Sequence, residues 1–183
     1  MLGYLKYMFQ LLLMPSRGWE DISAESPVPE AMQSRGYYPL LALTAAAVFM
    51  QLLYDSELAL SQVIQTVLAF LCSYFASIYV AHIALELWLP KYVDGELNMH
   101  KCSTLVVMTM GLMVVIRCVC YMLPSQLTPV KFLPLLVVVV LHRAATYMCV
   151  KSDSVISYLL ASAAVIVVMP LVLYYIMCLL LVG

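Results

Sequence analysis

The stretch LLLMPSRGWEDISAE, residues 11–25, decides how often this chain can cross a membrane. Upstream of it, residues 2–14 are apolar almost all round. About 13 helical residues rise only ~20 Å, whereas a bilayer core near 30 Å needs about 20. Downstream comes YYPLLALTAAAVFMQLLY, residues 37–54, which is long enough. The short run is therefore expected to be a helix lying in the interface beneath a bundle. Lys6 and Gln10, one turn apart, would face water, while Leu5, Phe9 and Leu12 would meet acyl chains or spans. Pro15 ends that helix, Ser16 and Gly18 permit a turn, and SRGWEDI continues as a polar turn in water. Trp19 is expected at headgroup depth, where an indole places an apolar body and one N–H. No A-x-A-like cleavage site follows, so a signal peptide is not expected.

Composition agrees with a membrane class. Of 183 residues, 65% are hydrophobic and 10% charged, with mean hydropathy +1.00. A soluble domain carries about 25% charged residues, so this chain cannot coat a water-facing surface. The net charge of −1 provides no basic face for nucleic acid. Cys72, Cys102, Cys118, Cys120, Cys149 and Cys178 fall in or beside apolar runs, without a C-x-x-C pair, and read as small packing residues.

Five spans are expected, at about 38–54, 57–88, 101–123, 129–150 and 154–182, behind a cytoplasmic elbow over residues 1–36. The fold class is all-α, a polytopic five-helix bundle over 37–183 plus the N-terminal interfacial helix. Asp55 or Ser56 would cap the second span, Pro124 would close the third, and Thr128 with Pro129 would open the fourth. Pro170 is the expected kink of the fifth. Lys6, Arg17, Arg35, Lys91, Lys101, Arg143 and Lys151 fall at alternate span ends, which puts the N-terminus in the cytoplasm.

Ionisable residues inside spans are costly and mark sites. His82 and Glu86 share a face of the second span, and His142 and Arg143 sit at a similar height in the fourth. The four could form a proton relay or metal site, or Glu86 and Arg143 could pair to close the bundle mouth; H-x-x-x-E supplies only two metal ligands where three or four are needed. Arg117, ~24 Å along its helix from Lys101, is expected to snorkel or to pair with Asp55 or Glu57. Trp19 and Trp88 are the expected interfacial anchors. Gly111 is the only glycine inside a span before the terminal Gly183. Ser73, Ser77 and Ala81, like Ser157 and Ala161, form small-residue rows for helix packing. No catalytic motif, cofactor motif or metal motif is present, and no cofactor is expected.

A short apolar helix, then P-S-R-G-W-E-D-I-S-x-E over residues 15–25, then Tyr38 and Pro39 opening a five-span run, resembles the bacterial Yip-type family of Ypt/Rab-interacting-protein-like membrane proteins. The resemblance implies a five-span fold in a bacterial inner membrane. The long cytoplasmic region that eukaryotic relatives use with small GTPases has no D-L-Y-G-P-like counterpart in residues 1–36. The expected function is a non-enzymatic membrane-organising or partner-binding scaffold, touching the lipid bilayer and membrane-protein partners or a second copy, and no nucleic acid. The alternative is a small transporter or channel using His82, Glu86, His142 and Arg143.

Overall fold

The computed structural model describes residues 2–54, 58–95, 97–123 and 132–182. Asp55, Ser56, Glu57, Pro124, Thr128 and Pro129, to which the sequence assigns caps, helix ends and a charge partner, lie outside the described residues. Regular structure among the described residues is helical, with one antiparallel bridge between Val93 and Val150. The helices are α1 (Leu2–Leu13), α2 (Pro15–Glu25), α3 (Pro29–Tyr54), α4 (Leu60–Trp88), α5 (Met99–Met122), α6 (Pro134–Tyr147) and α7 (Ser152–Leu181). Helices α3, α4, α5 and α7 are long and apolar enough to cross a membrane. Helix α6 has 14 residues, ~21 Å, short of a crossing by itself.

Helix α3 begins nine residues before the expected start at Tyr38. The sequence signal for a boundary was Pro39, whose missing N–H and bulky ring break an α-helix. Here the helix widens instead: the Tyr38 N–H donates to the Gln33 carbonyl, five residues back, in a π-type turn over Gln33–Tyr37. The same device recurs in α7. Met169, immediately before Pro170, donates to the Ala164 carbonyl five residues back, in a π-type turn over Ala164–Val168. One extra residue per turn moves the carbonyl that the proline ring would strike. Helix α4 runs unbroken for 29 residues, as the absence of internal Gly or Pro suggests. Helix α5 carries a cap that the expected start at Lys101 overlooks: the Asn98 side chain accepts from the N–H groups of His100 and Lys101.

Helices α3 to α7, the short α6 included, alternate in direction. At one end, the segments following α4 and α6 are pinned together. The Asp94 N–H donates to the Cys149 carbonyl at 3.0 Å and the Lys151 N–H to the Tyr92 carbonyl at 2.9 Å. At the other end, the Tyr54 hydroxyl donates to the Met122 carbonyl and the Gln65 amide to the Leu181 carbonyl. Lys91, Lys101, Arg143 and Lys151 all collect at the first end. Helix α5 is the hub: 67% of its apolar window is buried, against 22% for α7. Ser73, Ser77 and Ala81 are buried, and the two hydroxyls donate to carbonyls of their own helix, so that row packs.

Candidate functional site

Helices α1 and α2 form an antiparallel hairpin hinged at Met14. The Tyr7 hydroxyl donates to the Glu25 carboxylate and the Gln10 amide to the Asp21 carboxylate. The Glu25 bond, with some burial and the charges of Glu25 and Asp21, pushes the Tyr7 pKa from 10.0 to about 12. Gly18 does not serve the turn. It is inside α2, buried, and a Cβ there would lie 2.9 Å from Leu11 Cδ2 and 3.2 Å from the Leu11 backbone, so the missing side chain lets α1 and α2 touch. Pro15, likewise, opens a new helix of 11 residues rather than only closing the old one.

The hairpin is built into the bundle. Tyr4, Met8 and Leu11 of α1 and Trp19 and Ile22 of α2 are all at most 5% exposed and join the same core as α3 to α7. Two aromatic side chains fasten it through their polar tips. The Tyr4 hydroxyl donates to the Val107 carbonyl of α5 at 2.7 Å. The Trp19 indole N–H donates to the Val140 carbonyl of α6 at 3.0 Å, and its ring stacks on Tyr147 with centroids 5.0 Å apart. Tyr4 reaches its acceptor because two glycines make a slot. A Cβ on Gly36 would fall 2.4 Å from Tyr4 Cγ, and one on Gly111 would fall 1.8 Å from Tyr4 Oη. A helical Cβ leans towards the N-terminus, over the carbonyl four residues back, so Gly111 uncovers the Val107 oxygen.

Trp19 is therefore 3% exposed, with its N–H satisfied by protein, where the sequence places an indole facing headgroups. Trp88, at the end of α4, is 45% exposed. Lys6 is exposed as expected, while Leu5, Phe9 and Leu12 line an apolar groove against Leu40, Val115 and Val119.

The expected polar cluster is dispersed. His82 and Glu86 are half-buried on one face of α4, within electrostatic reach of each other and of Glu30 from α3. His142 and Arg143 are exposed on α6, and Glu86 and Arg143 form no ion pair. The pairing expected to close the bundle mouth is thus absent: adjacent positions 142 and 143 lie on the outer side of a helix whose Leu141, Ala144 and Ala145 face the core. Among the described residues no three His, Cys, Asp or Glu side chains converge to hold a metal ion.

Arg143 opens instead into a pocket of about 300 Å³ between α2 and the ends of α5 and α6. Trp19 and Tyr147 form its aromatic wall. Lys101 and Arg143 bring two cations, Glu20 one carboxylate, and Ser16, Ser23 and Thr146 three hydroxyls. The Lys101 ammonium donates to the Tyr147 carbonyl at 3.2 Å and rests 5.2 Å from that ring's centroid. Arg117 is held differently from the expected carboxylate partners. Its Nε–H donates to the Tyr74 hydroxyl at 3.2 Å, and its guanidinium lies 5.6 Å from the Tyr174 ring centroid. The Tyr74 carbonyl in turn accepts from the Tyr37 hydroxyl at 3.0 Å.

The sequence alone singles out none of Tyr4, Tyr37, Tyr74, Tyr147 and Tyr174 among thirteen tyrosines. A usable signal was present: a hydroxyl inside an apolar segment generally takes a hydrogen-bond partner. Comparison with family models, with curated proteins and with solved structures finds no match to this chain.

Proposed function

We propose that this protein is a non-enzymatic five-span scaffold of a bacterial inner membrane, with a cytoplasmic N-terminus, which organises membrane or binds membrane-protein partners. The resemblance of residues 15–25 and of Tyr38–Pro39 to the Yip type supports that reading. So does the collection of Lys91, Lys101, Arg143 and Lys151 at one end of the bundle. The remaining span of the five is assigned to the segment that contains α6. The observation that carries the reading is the fastened hairpin. With Tyr4 and Trp19 tied to backbone carbonyls of α5 and α6, α2 holds Arg17, Glu20, Ser23 and Glu25 exposed at a fixed place on an apolar bundle. A rigid polar platform of both signs on a membrane-embedded stalk suits recognition of a surface or partner.

The second reading, a small transporter, is favoured by one observation, a cationic Arg117 held among tyrosines part-way along α5. Purified protein reconstituted into vesicles separates the two. The scaffold reading expects a change in vesicle shape or clustering by cryo-electron microscopy, lost in Trp19→Ala, and no solute or proton flux. A flux abolished by Arg117→Gln or Glu86→Gln, with vesicle shape unaffected, would replace it with transport.

A further inference from the structure

We infer that the pocket between α2, α5 and α6 is a binding site for a phosphate monoester. Its walls supply the cations and hydroxyl donors that such a group takes. Two cations from different helices, Lys101 of α5 and Arg143 of α6, face one cavity of about 300 Å³. That volume is at the small end of ligand sites, large enough for a phosphate with a glycerol-sized stem. Arg143 makes no hydrogen bond or ion pair with any described residue, so its five donors are unspent. Lys101 spends one donor on the Tyr147 carbonyl, which fixes the ammonium at the pocket and leaves two donors. Ser16, Ser23 and Thr146 add hydroxyls that can donate to phosphate oxygens. Glu20 opposes the anion, and the net charge of the lining is +1 from two cations and one carboxylate.

The fastened hairpin gives the site its shape. Trp19 is locked by its bond to Val140 and its stack on Tyr147, so the α2 wall is in place before a ligand arrives. The group can come from an anionic lipid head or from a soluble phosphate ester. The site goes beyond the scaffold reading, whose vesicle-shape and flux readouts do not depend on Arg143.

The probe is protein carrying Trp88→Phe, so that Trp19 at the pocket wall is the sole tryptophan. It is placed in phosphatidylcholine nanodiscs with or without phosphatidic acid, and the lipid-neutral discs are also titrated with glycerol phosphate. Saturable change in Trp19 emission with phosphatidic acid alone assigns the site to lipid. The same change with glycerol phosphate assigns it to a soluble ester. In either case Arg143→Gln should weaken binding by about tenfold, the worth of a charge-assisted hydrogen bond. Glu20→Gln should tighten it severalfold, a gain that misfolding cannot produce. No response to either probe, or equal affinity across wild type, Arg143→Gln and Glu20→Gln, would overturn the proposal.

Discussion

Helices α1 and α7 are both apolar as sequence, each rich in Leu and carrying Met and Tyr, yet the molecule uses them differently. Helix α1 buries Tyr4, Met8 and Leu11 to 5%, 1% and 0% exposure. Helix α7 leaves Ile156, Leu160 and Leu180 at 76%, 68% and 70%. The difference teaches what apolarity decides in a membrane protein. Lipid tails are as apolar as leucine, so an apolar face gains little by leaving lipid for protein. Close steric fit and polar handles decide instead. The hairpin has both: glycines at 18, 36 and 111 admit close approach, and Tyr4 and Trp19 carry donors that find carbonyls. The outer face of α7 carries mainly bulky aliphatic groups, such as Ile156, Leu160, Val172 and Leu180, with Ser157 and Tyr175 among them.

The largest effect should follow from removing a handle together with its bulk. Trp19→Ala should destabilise the protein by about 3–5 kcal/mol, the usual cost of deleting a buried large aromatic. Thermal unfolding in detergent, followed by helical circular dichroism, measures it. Filling the slot comes next. Gly111→Ala drives a Cβ into Tyr4 Oη, and overpacking costs about 1–3 kcal/mol, against the ~1 kcal/mol an alanine gains in a helix. In a Tyr4→Ala background the same change should become neutral or stabilising, because the clashing ring has gone. Equal losses in both backgrounds would remove Tyr4 from the account.

A smaller effect resides in the hairpin itself. Tyr7 has its pKa raised from 10.0 to about 12 by its bond to Glu25, so the folded state holds that proton more tightly than the unfolded chain. Its stabilisation is fully present below pH about 10 and is lost as pH rises towards about 12. The melting temperature of wild type should therefore fall more steeply across that window than that of Tyr7→Phe. The smallest effect is expected on the outer face of α7. Leu180→Ala should change stability by less than about 0.5 kcal/mol, since lipid replaces the lost contacts. A large loss there would show that α7 is covered by something other than lipid.

Much of the fold was legible. The all-α class followed from 65% hydrophobic composition, and the unbroken α4 followed from the absence of internal Gly and Pro. The helix break before Pro15 was legible from the same chemistry that misplaced the start of α3. A proline inside an apolar run can be accommodated by one wide turn, and nothing in YYPLLAL distinguishes that from a boundary. The site was less legible. Charges were grouped by height along their helices, which is readable, but not by which side of each helix faces inward, which depends on neighbours. Arg143 accordingly moved from a partner of Glu86 to the wall of a pocket. The glycines were visible without their meaning, because Gly36 and Gly111 both make room for Tyr4, a residue more than thirty positions from Gly36 and a hundred from Gly111.

The central claim is that the N-terminal hairpin is part of the bundle core. Trp19 and Trp88, the two tryptophans, test it in one molecule because they are 3% and 45% exposed. Fluorescence of Trp88→Phe and Trp19→Phe variants in nanodiscs can be titrated with acrylamide in water and with brominated lipids of graded depth. The account predicts that Trp19, reachable only from the pocket side, is quenched far less than Trp88 by acrylamide and by every brominated position, while Trp88 is strongly quenched by at least one of them. Efficient quenching of Trp19 by headgroup-proximal bromines or by acrylamide, matching that of Trp88, would contradict it and return the hairpin to the membrane surface.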